Sequence, residues 1–294
     1  MTEVMKGPYV AVVTPFNQDG TLNEAELRNQ VERQISFGNN IFCNGTNGEF
    51  FVLSDQEKRR VTEICVEQAA GRVDVVTHIG ELTLQSTIEH GLAVQNSGVK
   101  AVSVITPWFS ALREQELVEY FTAVADSLDV PVYLYNIPAR TGNTITPQVA
   151  ETLASHPNIY GIKDSAGSYE SLQGFLQVAA KHEQFDVLTG PDSLILTGYQ
   201  EGAIGCVSGI ANIVPDLVNQ IYQAFKGNDV EQAQAAQEVI NYLRSHLYPI
   251  AFAPAVVKQT LNLLGENVGP SRYPVRFSQT DIEQIQDIIK QKLQ

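Results

Sequence analysis

Lys163 is the residue whose surroundings most suggest chemistry. It ends the run Asn158-Ile-Tyr-Gly-Ile162, in a chain of 294 residues with only 19 Lys and Arg. A lysine at the mouth of an apolar core is short of water, and burial disfavours the ammonium form. A neutral amine attacks a ketone to form a Schiff base. The protonated iminium then accepts electrons while a C–C bond is made or broken. The competing reading is a lysine that has left its strand for solvent. Tyr135 closes a similar run, Val130–Tyr135. At that height a phenol could pass protons to and from a carbinolamine, although packing alone would also explain it. The turn Gly45-Thr46-Asn47-Gly48 could cradle a carboxylate with backbone N–H groups and hydroxyls, or be an ordinary tight turn. Arg140 could grip a second anion in a bidentate way, or be a solvated loop arginine.

These residues need a scaffold, and the periodicity supplies one. Short apolar, β-branched runs occur at 9–13, 41–43, 73–79, 101–105, 130–135, 159–163, 186–189 and 203–207. Each suits a strand buried on both faces. Helical patterns lie between them, at 23–37, 54–70, 84–96, 114–127, 147–155, 169–180, 193–201 and 215–225. Ser54-Asp-Gln-Glu57 reads as a capping box, and Thr146-Pro147 as a cap before a first-turn proline. Gly38, Gly71, Gly98 and Gly227 fall where helices should stop. Eight strand–helix units in succession predict an α/β fold, a (β/α)₈ TIM barrel, over residues 1–226. Residues 227–294 read as C-terminal helices packed on the barrel, at 230–246, 253–264 and 281–293, in one structural unit.

Composition narrows the function. Asp and Glu number 33, so the net charge is −14. Nucleic acid and anionic membrane surfaces are poor partners for such a chain. The three cysteines form no CxxC and suit reduced thiols, as in a cytoplasmic protein. The five histidines show no HxxxH spacing, so no metal is expected. No signal peptide or membrane span is expected either.

Barrel enzymes carry their chemistry at the C-terminal ends of strands. Those ends are Thr14-Pro15, Gly45–Glu49, His78-Ile-Gly80, Thr106-Pro-Trp-Phe109, Tyr135-Asn-Ile-Pro138, Lys163-Asp-Ser165, Gly190-Pro-Asp192 and Val207-Ser-Gly209. Four stretches occur in order: Gly7-x3-Ala11-x2-Thr14-Pro15-Phe16, Gly45–Glu49, Tyr135-Asn-Ile-Pro-x-Arg140-Thr-Gly142 and Gly161-Ile-Lys163-Asp164. Together they resemble the dihydrodipicolinate synthase / N-acetylneuraminate lyase family of pyruvate-dependent lyases. Pro254–Lys258 and Arg272-Tyr-Pro274 fit that family's C-terminal helices.

The resemblance implies roles. Lys163 would form the imine with a 2-oxo acid, and Tyr135 would be the general acid/base. Thr46 would order the tyrosine hydroxyl and, with Asn47, hold the keto-acid carboxylate. The carbonyl of Val207 would face the lysine. Arg140, Gly190, Asp192 and Ser208 would surround the rest of the substrate. No cofactor is implied, and a homotetramer built from dimers is.

Departures from the family pattern matter too. Asn47 stands where threonine is common. Phe109 stands where the synthase branch has a tyrosine that crosses a dimer interface. Arg140 matches the synthase branch, whereas Lys163-Asp-Ser165 looks more like the branch acting on 2-oxo-3-deoxy sugar acids. Ser193 replaces the glutamate of neuraminate lyases. The expected activity is therefore reversible cleavage of a 2-oxo-3-deoxy or 4-hydroxy-2-oxo acid to pyruvate and an aldehyde. The first alternative is condensation of pyruvate with aspartate semialdehyde. Neuraminate cleavage, sugar-acid dehydration and a non-catalytic keto-acid-binding barrel follow.

Overall fold

The computed structural model describes residues 4–293. The strands are β1 (Gly7–Ala11), β2 (Asn40–Cys43), β3 (Val75–His78), β4 (Ala101–Ile105), β5 (Val132–Asn136), β6 (Ile159–Asp164), β7 (Asp186–Thr189) and β8 (Gly205–Ser208). They follow one another around a closed barrel in sequence order. The expected (β/α)₈ fold is therefore the observed one.

The first eight helices are α1 (Glu24–Ser36), α2 (Asp55–Ala69), α3 (Leu84–Val94), α4 (Glu114–Asp126), α5 (Pro138–Thr141), α6 (Pro147–Leu153), α7 (Tyr169–Ala179) and α8 (Ile195–Glu201). After them come α9 (Pro215–Lys226), α10 (Val230–Leu247), α11 (Ala253–Leu263) and α12 (Gln279–Lys292).

The chain packs as two compact units. The first holds Asp74–Val207 with the segment ending at Pro8. In it β3 to β8 pair in parallel, with Thr77 beside Val102, Val104 beside Leu134, Tyr135 beside Lys163, and Lys163 beside Leu188. All five residues of β4 and all five of β5 are buried. That explains their mostly apolar character, since a parallel strand is covered on both faces. Each fully buried Val, Leu or Ile there is worth about 1.5–3 kcal/mol of transfer energy.

The second unit holds Tyr9–Val73 and the segment from Ser208 onward. Here β1 and β2 pair in parallel, Val10 beside Ile41. Helix α1 lies against α2, and α9 against α10. The Ser54–Glu57 capping box forms as expected, each partner bonding the other's backbone N–H. In the first unit, Thr146 likewise caps α6 with Pro147 in its first turn.

Several boundaries differ from expectation. Helix α9 does stop at Gly227 as expected, but the left-handed residue is the next one, Asn228 (φ 58°); Asn tolerates that region because its short side chain bonds locally. The 193–201 pattern splits into a 3₁₀ turn, Asp192–Leu194, and α8. Helix α12 starts earlier than expected, because Ser278 and Asp281 form a second capping box. The helix α5 spans four residues, too few to show a period.

Glu57 is held twice, by Ser54 N–H and by the Arg272 guanidinium, with Arg272 Nη1 at 2.9 Å. Arg272 first, then Ser54, lowers its pKa from 4.5 to about 2. A carboxylate depressed on folding contributes stability that is present above its unfolded pKa and lost as pH falls towards the folded one. In urea unfolding, Arg272→Met is therefore expected to cost at least about 1 kcal/mol at pH 7, a charged hydrogen bond discounted for partial exposure. The gap from wild type should narrow between pH 4.5 and 2. A gap independent of pH would contradict the pairing.

Candidate active site

Lys163 and Tyr135 are register partners on β6 and β5. Adjacent parallel strands point paired residues to the same face, so the two side chains meet. Lys163 Nζ lies 3.7 Å from the centroid of the Tyr135 ring. Both are buried, at 5% and 2% exposure. The lysine has therefore not left its strand for solvent. Its ammonium, when protonated, sits over a π face that attracts cations.

The surroundings fix both ring and chain. His78, at the end of β3, meets Tyr135 edge-on, centroids 5.9 Å apart and planes at 87°. Its Nε2 accepts the Ile105 N–H at 3.3 Å. Asp164 follows the lysine and is buried. Its Oδ1 accepts Asn136 Nδ2 at 2.9 Å and the Ala166 N–H at 3.1 Å. Desolvation raises the Asp164 pKa, and these donors oppose the rise. Asn136 also accepts the Ile145 N–H at 3.0 Å, which pins the chain beyond α5. Neither His78 nor this Asp164–Asn136 pair is given a role by the sequence. Their signal was a polar residue at the C-terminal end of an apolar run.

Gly190 is needed for space. Its N–H bonds the Asp164 carbonyl at 2.7 Å, and a Cβ there would lie 1.9 Å from Ser165 Oγ. Asp192 is buried in the 3₁₀ turn after β7, and Val207 is buried in β8. Arg140 lies on α5 and is exposed. The α5 turn is tied to the end of β4 by Thr106 Oγ1, which donates to Thr141 Oγ1 at 2.8 Å. Beyond it, Asn143 donates to the carbonyls of Pro107 and Ser110 at 2.8 Å each. Those bonds brace the loop that carries Phe109, which is 97% exposed with φ 80°.

Thr46, Asn47 and Ser208 belong to the second unit. The Gly45–Gly48 turn is closed by the Glu49 N–H on the Thr46 carbonyl at 3.1 Å. Thr14 Oγ1 holds the Gly48 carbonyl at 2.7 Å. Thr46 and Asn47 are half-buried. Gly209 lets the Asn47 amide in close, since a Cβ there would lie 2.6 Å from Asn47 Nδ2. Ser208 is buried, and its Oγ accepts the Ala211 N–H at 3.0 Å.

Among the described residues, no three His, Cys, Asp or Glu side chains gather as a metal site requires. No described helix is long and apolar enough to cross a membrane.

Residues 4–292 match the dihydrodipicolinate synthetase family. The chain is 32% identical over 290 residues to a 4-hydroxy-tetrahydrodipicolinate synthase of Thermoanaerobacter, covering 97% of this chain and 96% of that one. It is 33% identical to a DapA-like lyase of Halobacterium salinarum, covering 92% and 88%. Among solved structures it is similar to YagE, a family member from Escherichia coli in complex with pyruvate. The TM-score is 0.94 at 27% identity, over 98% and 99% of the chains. The dihydrodipicolinate synthase of Aquifex aeolicus superposes with a TM-score of 0.90 at 28% identity, over 98% of each chain. With the match running along almost its whole length, the chain is a lyase that belongs to the dihydrodipicolinate synthetase family.

Proposed function

We propose that this protein is a lysine Schiff-base lyase that reversibly cleaves a 2-oxo-3-deoxy or 4-hydroxy-2-oxo acid to pyruvate and an aldehyde. The observation that supports it is the buried contact of Lys163 Nζ with the Tyr135 ring at 3.7 Å. The family match and the likeness to YagE, solved with pyruvate, agree with it.

In the forward direction Lys163 Nζ attacks the keto carbon, and the carbinolamine loses water to leave a protonated imine. Tyr135, as base, takes the proton of the C4 hydroxyl. The C3–C4 bond then breaks, its electrons form the enamine, and the aldehyde departs. A proton returns to C3, and water releases pyruvate and free Lys163. Thr46 is assigned to orient the Tyr135 hydroxyl, and Thr46 with Asn47 to hold the keto-acid carboxylate. Asn47 keeps an amide donor where a hydroxyl is common. The Val207 carbonyl is assigned to face Lys163, and Gly190, Asp192, Ser208 and Arg140 to the remainder of the substrate. The enzyme works as a homotetramer built from dimers. The strained, exposed Phe109 fits burial against a neighbouring subunit, since aromatic residues concentrate in interface cores.

The synthase reading keeps one specific support, the exposed Arg140 on the turn after β5, a residue type that grips carboxylates. Phe109 weighs against it because it brings no hydroxyl to a proton relay.

Borohydride reduction with pyruvate, followed by mass spectrometry, tests the lysine. An adduct on Lys163, absent in Lys163→Met, is expected; no adduct would overturn the reading. If the adduct forms but a panel of 2-oxo acids gives no turnover, the barrel is a keto-acid binder. Arg140→Ala is expected to raise KM for the longer substrate about tenfold, roughly 1.4 kcal/mol, and leave pyruvate trapping unchanged. Phe109→Tyr should leave condensation with aspartate semialdehyde low. A sharp rise in that activity would show that the missing hydroxyl alone limited synthase chemistry.

A further inference from the structure

Glu49 follows the Gly45–Gly48 turn directly and has no part in the chemistry above. Its side chain is completely buried, with its backbone in the left-handed region at φ 54°. A non-glycine residue there is strained and persists only where its surroundings hold it. The surroundings are one C-terminal stretch. Glu49 Oε1 lies 2.7 Å from Lys258 Nζ on α11. Oε2 accepts Ser271 Oγ at 2.6 Å, the Arg272 N–H at 3.1 Å and the Tyr273 N–H at 3.2 Å.

The partners are equally fixed. Lys258 is 1% exposed and also donates to the Pro270 carbonyl at 3.1 Å. Phe16, just after β1, is flanked by two cations. Lys258 Nζ lies 3.9 Å and Arg272 Cζ 4.1 Å from its ring centroid. Arg272 also bonds the Gly20 carbonyl at 2.7 Å. Gly269 (φ 72°) lets the C-terminal chain pass against Phe16, where a Cβ would lie 1.8 Å from the Phe16 carbonyl oxygen.

A buried ion pair seldom adds net stability over apolar packing of the same volume. This one adjoins a turn that must take an anion. A bare Glu49 carboxylate there would repel a substrate carboxylate, and an unanchored Glu49 would release the turn. We infer that Glu49 is a positioning residue: the Glu49–Lys258 ion pair braces the Thr46-Asn47 turn for the substrate carboxylate and cancels the negative charge of Glu49 beside it. The inference rests on the assignment of that carboxylate to Thr46 and Asn47.

The test is the pyruvate concentration that half-saturates borohydride trapping on Lys163, measured in full-length wild type, Lys258→Met, Glu49→Gln, the double variant and Ser271→Ala. Lys258→Met should raise half-saturation about tenfold, yet reach full adduct at saturating pyruvate. The double variant, which lacks the brace but also the uncompensated charge, should half-saturate between wild type and Lys258→Met. Ser271→Ala, which removes one donor and is the mildest to fold, should raise half-saturation about two- to threefold. A role in stability alone would lower the melting temperature and leave half-saturation at the wild-type value, and that result overturns the inference. It is also overturned if the double variant binds pyruvate no better than Lys258→Met. If wild type itself forms no adduct, the lysine reading falls and takes this inference with it. Wild-type trapping with unchanged variants removes only the brace.

Discussion

A parallel barrel buries both faces of every strand, and that constraint governs where polar chemistry can stand in this protein. Along β5, Val132, Tyr133 and Leu134 are buried, and the strand ends on the polar pair Tyr135-Asn136. β6 does the same at Lys163-Asp164. Parallel register then decides which polar ends meet, and Tyr135 beside Lys163 is its direct product. A slip of one residue would turn the two side chains to opposite faces. Lys163 is thus placed by the same backbone ladder that makes the core.

Each strand end is held by polar pins rather than by packing alone. Asn136 spans Asp164 and Ile145, and Asn143 spans Pro107, Ser110 and Leu112. In the second unit Glu49 gathers the stretch from Lys258 to Tyr273, and Asn212 bonds Val13 and Ala11. Every such group would be costly if left unpaired in the interior. A satisfied network therefore rigidifies its loop, and loss of one member leaves the others exposed to that cost. The breaking of a buried pair such as Glu49–Lys258 is of the class that destabilises by about 3–5 kcal/mol.

Charge acquires a local meaning in this setting. The chain carries −14 overall, so its long-range field does not draw in a keto acid. At short range the fields of individual ion pairs dominate instead. Lys258 is spent on Glu49, and Arg272 on Glu57 and Phe16. The acidic surplus lies mostly on helices, where it favours solubility.

Much was legible in the sequence because it was periodic or local. Short apolar runs, helix caps and glycine stops yielded the order of eight strand–helix units, and the closed barrel followed from it. Lys163 and Tyr135 stood out because each is a polar residue ending an apolar run. What lacks a period was not legible: α5, the 3₁₀ turn at Asp192–Leu194, and Asn228 as the left-handed residue after Gly227. Long-range pairing was equally hidden. Glu49 and Lys258 stand far apart in the chain, and no spacing rule joins them. His78 could be read only as the end of a strand until β3 and β5 brought its ring onto Tyr135. The chain alone determined which residues would stand at strand ends, since burial dictates composition along each strand. Only the tertiary structure decided which of those ends touch, because strand pairing and its register, not proximity in sequence, bring them within reach.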